Sequence, residues 1–189
     1  MKNESTFVPT VGGNAYALNL IEQINEMNNG QYLYEETKNS PSNFCIGTAG
    51  YPEKHFEAMN LSTDMKHLKK KVDAGAEFIV TQLFYDNEKF FDFVKKCREI
   101  GIKVPIIPGI KPITNLRHLS FIPKFFHVNF PESFSNELEK CKTDEEIKRV
   151  GIEWTTAQCK ELVKADIPVI HFYTMGRGTA VKNIAKEIF

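Results

Sequence analysis

The chain has 189 residues, 42% hydrophobic and 25% charged, with 24 Lys and Arg against 24 Asp and Glu. That is ordinary usage for one globular domain with its own core, and zero net charge gives no electrostatic footprint for nucleic acid or an anionic membrane surface. No apolar run approaches the roughly 20 residues of a membrane span, and the polar start Met1-Lys-Asn-Glu-Ser-Thr6 lacks the apolar centre of a secretion signal, so the chain reads as cytoplasmic.

Residues 1–13 are polar, end in Gly12-Gly13 and read as a loose lead-in to a single domain spanning 1–189. A helix over 15–27 follows, with Leu18, Ile21, Ile24 and Met27 on its apolar stripe. Residues 28–43, rich in Asn, Glu, Ser and Pro, read as a surface loop. Residues 44–50 predict a strand that Tyr51-Pro52 stops. Ser62 is placed to cap a helix over 63–74, whose core positions are Leu61, Met65, Leu68 and Val72.

Residues 78–84, Phe-Ile-Val-Thr-Gln-Leu-Phe, form a continuous apolar run interrupted by Gln82, the pattern of a parallel strand buried on both faces. A helix over 88–100 has Phe90, Phe93, Val94, Cys97 and Ile100 on one face. A third strand is predicted at 104–110, and a helix at 115–126 that Pro123 should break or kink. A short helix and loop at 131–142, a long helix at 144–164, a fourth strand at 168–174 and a last helix at 178–188 complete the chain.

One helix followed by four strand–helix units predicts an α/β domain with a parallel sheet. Right-handed crossovers then bring every strand's C-terminal end to one mouth, where such folds carry their site. Tyr51, Gln82, Pro108-Gly109, Tyr173 and Arg177 all fall there. Singly, each reads as a satisfied core or capping residue; together they favour a ligand. Asp64, His67 and Lys71 share one face of the 63–74 helix, with Lys70 adjacent. Beside a Tyr-Pro-x-x-His loop they suit a phosphate, although a lysine run is more commonly a solvated face. Cys45, Cys97, Cys141 and Cys159 form no Cys-x-x-Cys pair and read as free buried thiols, so no metal site is expected.

Five segments carry a resemblance: Ala49 to His55, Asp64 to Ala76, Thr81 to Phe84, Ile107 to Ile113 and His171 to Arg177. In order and spacing, over about residues 12–188, the chain resembles methylenetetrahydrofolate reductase, closer to the eukaryotic type than the bacterial one. The resemblance implies part of a TIM (β/α)8 barrel, about four βα units of its C-terminal half, in a flavoenzyme that uses FAD. NADH or NADPH would reduce the flavin, and 5,10-methylenetetrahydrofolate would become 5-methyltetrahydrofolate in one-carbon metabolism and methionine synthesis. It implies cofactor contacts at Tyr16, Ala17, Tyr51, His55, Asp64, His67, Lys70 and Lys71, and a catalytic, folate-orienting role for Gln82. His118, Tyr173 and Arg177 would lie near substrate. The partners implied are folate and a nicotinamide nucleotide, with a homo-oligomer for the complete enzyme.

The family's Leu-Arg-Gly-Asp segment and its folate-protonating glutamate have no counterpart here. Gly176 stands where the family usually has asparagine. Four βα units cannot close an eight-stranded barrel, so the expectation is a part of a longer enzyme. The alternatives are a half-barrel that holds flavin or nucleotide without turnover, and another flavin-linked barrel oxidoreductase of the proline dehydrogenase kind.

Overall fold

The computed structural model describes residues 7–33 and 40–189; positions 1–6 of the expected lead-in and 34–39 of the expected loop lie outside them. The elements are α1 (Ala17–Asn28), β1 (Gly47–Gly50), α2 (Leu61–Asp73), β2 (Phe78–Leu83), α3 (Asn87–Glu99), β3 (Ile106–Ile110), α4 (Arg117–Phe126), α5 (Glu132–Glu139), α6 (Asp144–Lys164), β4 (His171–Phe172) and α7 (Thr179–Ile188). The four strands form one parallel sheet in the order β1-β2-β3-β4. Each strand thus lies beside the next one in the chain, with helices in the connections.

The sheet is covered on one face. In β1 Thr48 and Gly50 are buried while Gly47 and Ala49 are exposed. In β2 Ile79, Thr81 and Leu83 are buried while Phe78, Val80 and Gln82 are half-buried. The register pairs Thr48 with Ile79 and Gly50 with Thr81, so the buried residues share a face. The expected burial of β2 on both faces is therefore corrected: Phe78 and Val80 are as apolar as Ile79, yet their side of the strand is only half-buried.

That side holds the main core, where Met65 and Leu68 of α2, Phe90, Phe93 and Cys97 of α3, and Cys159 and Leu162 of α6 enclose Ile79 and Ile110. A second cluster joins Leu83 and Tyr85 to α4, α5 and α6, with the Phe134 and Trp154 rings stacked at 4.4 Å. The long α6 clamps the end of β2. Trp154 Nε1 donates to the Tyr85 carbonyl at 3.1 Å, and Gln158 Nε2 to that of Phe84 at 3.1 Å. A Cβ on Gly151 would meet the Ile113 carbonyl oxygen at 2.0 Å, so this close approach of α6 requires glycine.

Several local expectations are corrected. Residues 44–46 are outside β1 because the Asn28 side chain takes both backbone polar groups of Phe44, at 2.8 Å each, leaving Cys45 exposed rather than buried. Asn60, not Ser62, caps α2, with its Oδ1 accepting from Thr63 N–H at 2.9 Å. Pro123 lies inside α4 without breaking it. Its ring forfeits one intrahelical donor, and the helix ends within a turn at left-handed His127 (φ 54°). The fourth strand shrinks from 168–174 to two residues; Pro108, opposite the residue before His171, has no N–H to extend the β3–β4 ladder.

Candidate active site

α2 is tied back to the C-terminal end of β1 and to the loop that follows it. Lys71 reaches from the last turns of α2 and donates to the Ala49 carbonyl at 2.8 Å. Asp64, two turns earlier on the same face, accepts from the His55 backbone N–H at 2.8 Å. The His55 ring stands edge-on to Tyr51, centroids 4.5 Å apart. Burial lowers the Lys71 pKa, with the Asp64 carboxylate opposing it. Burial, then Asp64, Tyr173 and Glu57, pushes the Tyr51 hydroxyl pKa up. Contacts thus link His55 with Tyr51 and with Asp64, and bring Lys71 to the end of the same strand.

The other residues of that group stand apart. His67 is exposed on α2. Lys70 turns to the outer groove between α2 and α3, which Lys66, Lys69 and Lys96 also line. Tyr16 and Ala17 are exposed at the start of α1.

Gln82 borders a small cleft with Tyr51, Glu53, His127 and Val128. Its Oε1 accepts from the next backbone N–H, that of Leu83, at 2.9 Å. Two loops form one wall of this cleft and are tied together. Both Glu53 carboxylate oxygens accept from Asn129 N–H, at 3.2 and 3.3 Å, and Asn129 Nδ2 donates to Oε2 at 2.6 Å. The Phe56 and His127 rings stack at 5.0 Å. Lys54 holds a positive φ of 102° in this loop, with its Nζ donating to Ala58 O at 2.7 Å.

Tyr173 leans across the sheet. Its hydroxyl donates to the Thr81 carbonyl at 2.9 Å, and Thr81 Oγ1 accepts from Gly109 N–H at 2.9 Å. A Cβ on Gly109 would lie 2.1 Å from Thr81 O and 2.6 Å from the Tyr173 ring, so only glycine admits this arrangement. Arg177 is exposed on the loop after β4. His118 is half-buried, its Nδ1 accepting from Thr114 N–H at 3.2 Å. Burial lowers its pKa, Lys111, Arg177 and Arg117 add to that, and Asp144 opposes it.

Sequence reasoning passed over Lys111, Glu53 and Asn129. A lysine closing an otherwise apolar strand was the available signal for Lys111; the Glu53–Asn129 contact spans 76 positions and had none. Among the described residues no group of three or more His, Cys, Asp or Glu could hold a metal, and no helix is long and apolar enough to cross a membrane. The buried Cys97 and Cys159 thiols are pushed up to about 12 by burial and stay unreactive.

The family model described as methylenetetrahydrofolate reductase matches residues 1–188. The chain belongs to that family. Methylenetetrahydrofolate reductase (NADH) 1 of Arabidopsis thaliana is 41% identical over 182 residues, 91% of this chain and 29% of that protein. The probable methylenetetrahydrofolate reductase (NADPH) of Caenorhabditis elegans is 41% identical over 147 residues, 77% of this chain and 22% of its own length. The 5,10-methylenetetrahydrofolate reductase of Salmonella typhimurium is 36% identical over 137 residues, 72% of this chain and 46% of that one. The chain therefore spans less than half the length of these reductases. Among solved structures, an uncharacterized protein from Clostridium thermocellum that binds two copies of 5-methyl-5,6,7,8-tetrahydrofolic acid shares the fold. It aligns with a TM-score of 0.50 at 20% identity, over 76% of this chain and 52% of that one.

Proposed function

We propose that this chain is the flavin- and folate-facing part of a (β/α)8 barrel reductase. The barrel would convert 5,10-methylenetetrahydrofolate to 5-methyltetrahydrofolate with NADH or NADPH as the reductant and FAD as the cofactor. The observation that carries this reading is the convergence of the Lys71–Asp64–His55–Tyr51 cluster and of Gln82 on one end of a consecutive parallel sheet.

The donor set fits FAD. Lys71 spends one of its three N–H donors on Ala49, and a half-buried ammonium with donors to spare suits a diphosphate. Asp64 binds His55 N–H through one oxygen, so the other can accept from a ribose or ribityl hydroxyl. Tyr51 and His55 supply ring faces beside them. FAD bound there would supply hydride transfer between the nicotinamide nucleotide and the folate. The family resemblance would also bring Tyr16, Ala17, His67 and Lys70 to the flavin, and it is the warrant for those four.

Gln82 is neutral and offers both a donor and an acceptor, which matches the mixed edge of a pterin ring. To meet a ring it would exchange its bond to Leu83 N–H for bonds to the ligand. Tyr173, braced on Thr81 and Gly109, gives the opposite side a fixed ring rather than a mobile one. Gln82→Ala is expected to weaken 5-methyltetrahydrofolate binding roughly tenfold or more, the loss of one or two ligand hydrogen bonds, while flavin content stays at the wild-type level. Equilibrium binding and visible absorption on the same preparations measure the two. Equal loss of both would remove Gln82 from the substrate side.

A further inference from the structure

Lys111 follows β3 directly and is 7% exposed. Among the described residues its Nζ has one hydrogen-bond partner, the Tyr173 carbonyl, at the outer limit of 3.5 Å. Among the described residues the ion pairs lie elsewhere, and none includes Lys111. A buried ammonium without a carboxylate is costly and is rarely kept in a fold unless something compensates it.

His118 lies in the field of Lys111, Arg177 and Arg117. Asp144 is the one acid in that field, and its Oδ1 is engaged by Leu116 N–H at 2.8 Å. Arg117 is held over the Phe121 ring, 5.7 Å from its centroid. Arg177 is exposed with no ion-pair partner among the described residues. The ends of β3 and β4 thus carry positive charge with donors left over, beside the mouth that Tyr173 and Gly109 define.

We propose that Lys111, buried against the Tyr173 carbonyl beside the loop that carries Arg177, is an anion subsite that takes an oxyanion of a substrate. The sources consistent with the reading above are a carboxylate of the folate glutamate tail and a phosphate of the nicotinamide nucleotide. That choice of sources rests on the proposed function; the subsite itself rests on the unpaired, buried Lys111. Three ammonium N–H donors match an oxyanion, and Arg177 supplies a planar fork at the exposed side.

Thermal melting of the whole chain in sodium succinate, sodium phosphate and sodium chloride at equal ionic strength tests the subsite. The expected result is a higher melting temperature in succinate or phosphate than in chloride for the wild type and for Lys111→Arg. Lys111→Met should lose that increment and should melt at or above the wild type in chloride. An equal increment in Lys111→Met overturns the subsite, as does a Lys111→Met that melts below the wild type in chloride, which would make the Tyr173 contact the residue's purpose. Binding of 5-methyltetrahydrofolate against its analogue without glutamate, and of NADH against the reduced nicotinamide riboside, then identifies the source. Lys111→Met should cost about tenfold only for the anion-bearing member of one pair. If the wild type binds neither pair while the anion increment depends on Lys111, the functional reading fails and the subsite stands.

Discussion

Gln82 and Lys111 are both polar residues at the end of an apolar strand, and the fold treats them differently. Gln82 Oε1 accepts from the next backbone N–H while its side chain borders the cleft, so the amide can exchange that bond for a ligand. Lys111 is buried with a single weak partner. Gln82 was readable in the sequence because an amide inside Phe-Ile-Val-Thr-Gln-Leu-Phe stands out. Lys111 offered a signal too, a lysine closing an apolar strand, but its burial and its contact with the Tyr173 carbonyl, 62 positions later, were not readable. Burial lowers the Lys111 pKa from 10.5, so the folded state binds fewer protons than the unfolded one between the lowered value and 10.5. Stability therefore rises with pH through that window, and the penalty is complete below it. His118, whose own pKa burial and then Lys111 lower, lies in the field of Arg177, Arg117 and Asp144 as well. The stability advantage of Lys111→Met over the wild type should be largest near neutral pH and shrink as pH approaches 10.5, as followed by urea midpoints. An advantage that stays constant with pH would mean that Lys111 is not held charged against its burial.

Among the elements, α6 shows local chemistry deciding a boundary. The predicted range 144–164 and the observed helix coincide, and a capping box explains the start. Thr143 Oγ1 accepts from Glu146 N–H at 3.3 Å, while Glu146 Oε2 accepts from Thr143 N–H at 3.1 Å. Thr143→Ala should cost about 1 kcal/mol in chemical denaturation without changing ligand affinity. A loss of affinity alongside would show that α6 transmits strain to the β2 end it clamps. The strands were legible as segments but not in extent. The sequence shows that Pro108 lacks a donor, but not that β3 and β4 are neighbours, so the two-residue β4 is visible only in the register. The same holds for the Glu53–Asn129 tie, in which two loops 76 positions apart wall the cleft beside Gln82.

For the whole molecule, the sequence order of strands and helices predicted the parallel sheet, and the sheet is there in that order. Hydrophobic pattern could not reveal that only one face is packed, because Phe78 and Val80 are as apolar as Ile79 and differ only in what lies opposite them. The open face and the edge strands β1 and β4 agree with the proposed barrel segment, whose interior and remaining strands would cover them. In the proposed reductase the mouth of this sheet would bind flavin through the Lys71 cluster. The direct measurement is visible absorption of the purified chain after incubation with FAD and removal of the unbound cofactor, for the wild type and for Lys71→Met. Flavin near one per chain is expected in the wild type, and a loss of tenfold or more in affinity in Lys71→Met, the range for removing a charged hydrogen-bond partner of a phosphate. A folded wild-type chain that retains no flavin, or a Lys71→Met chain that retains as much as the wild type, would contradict it.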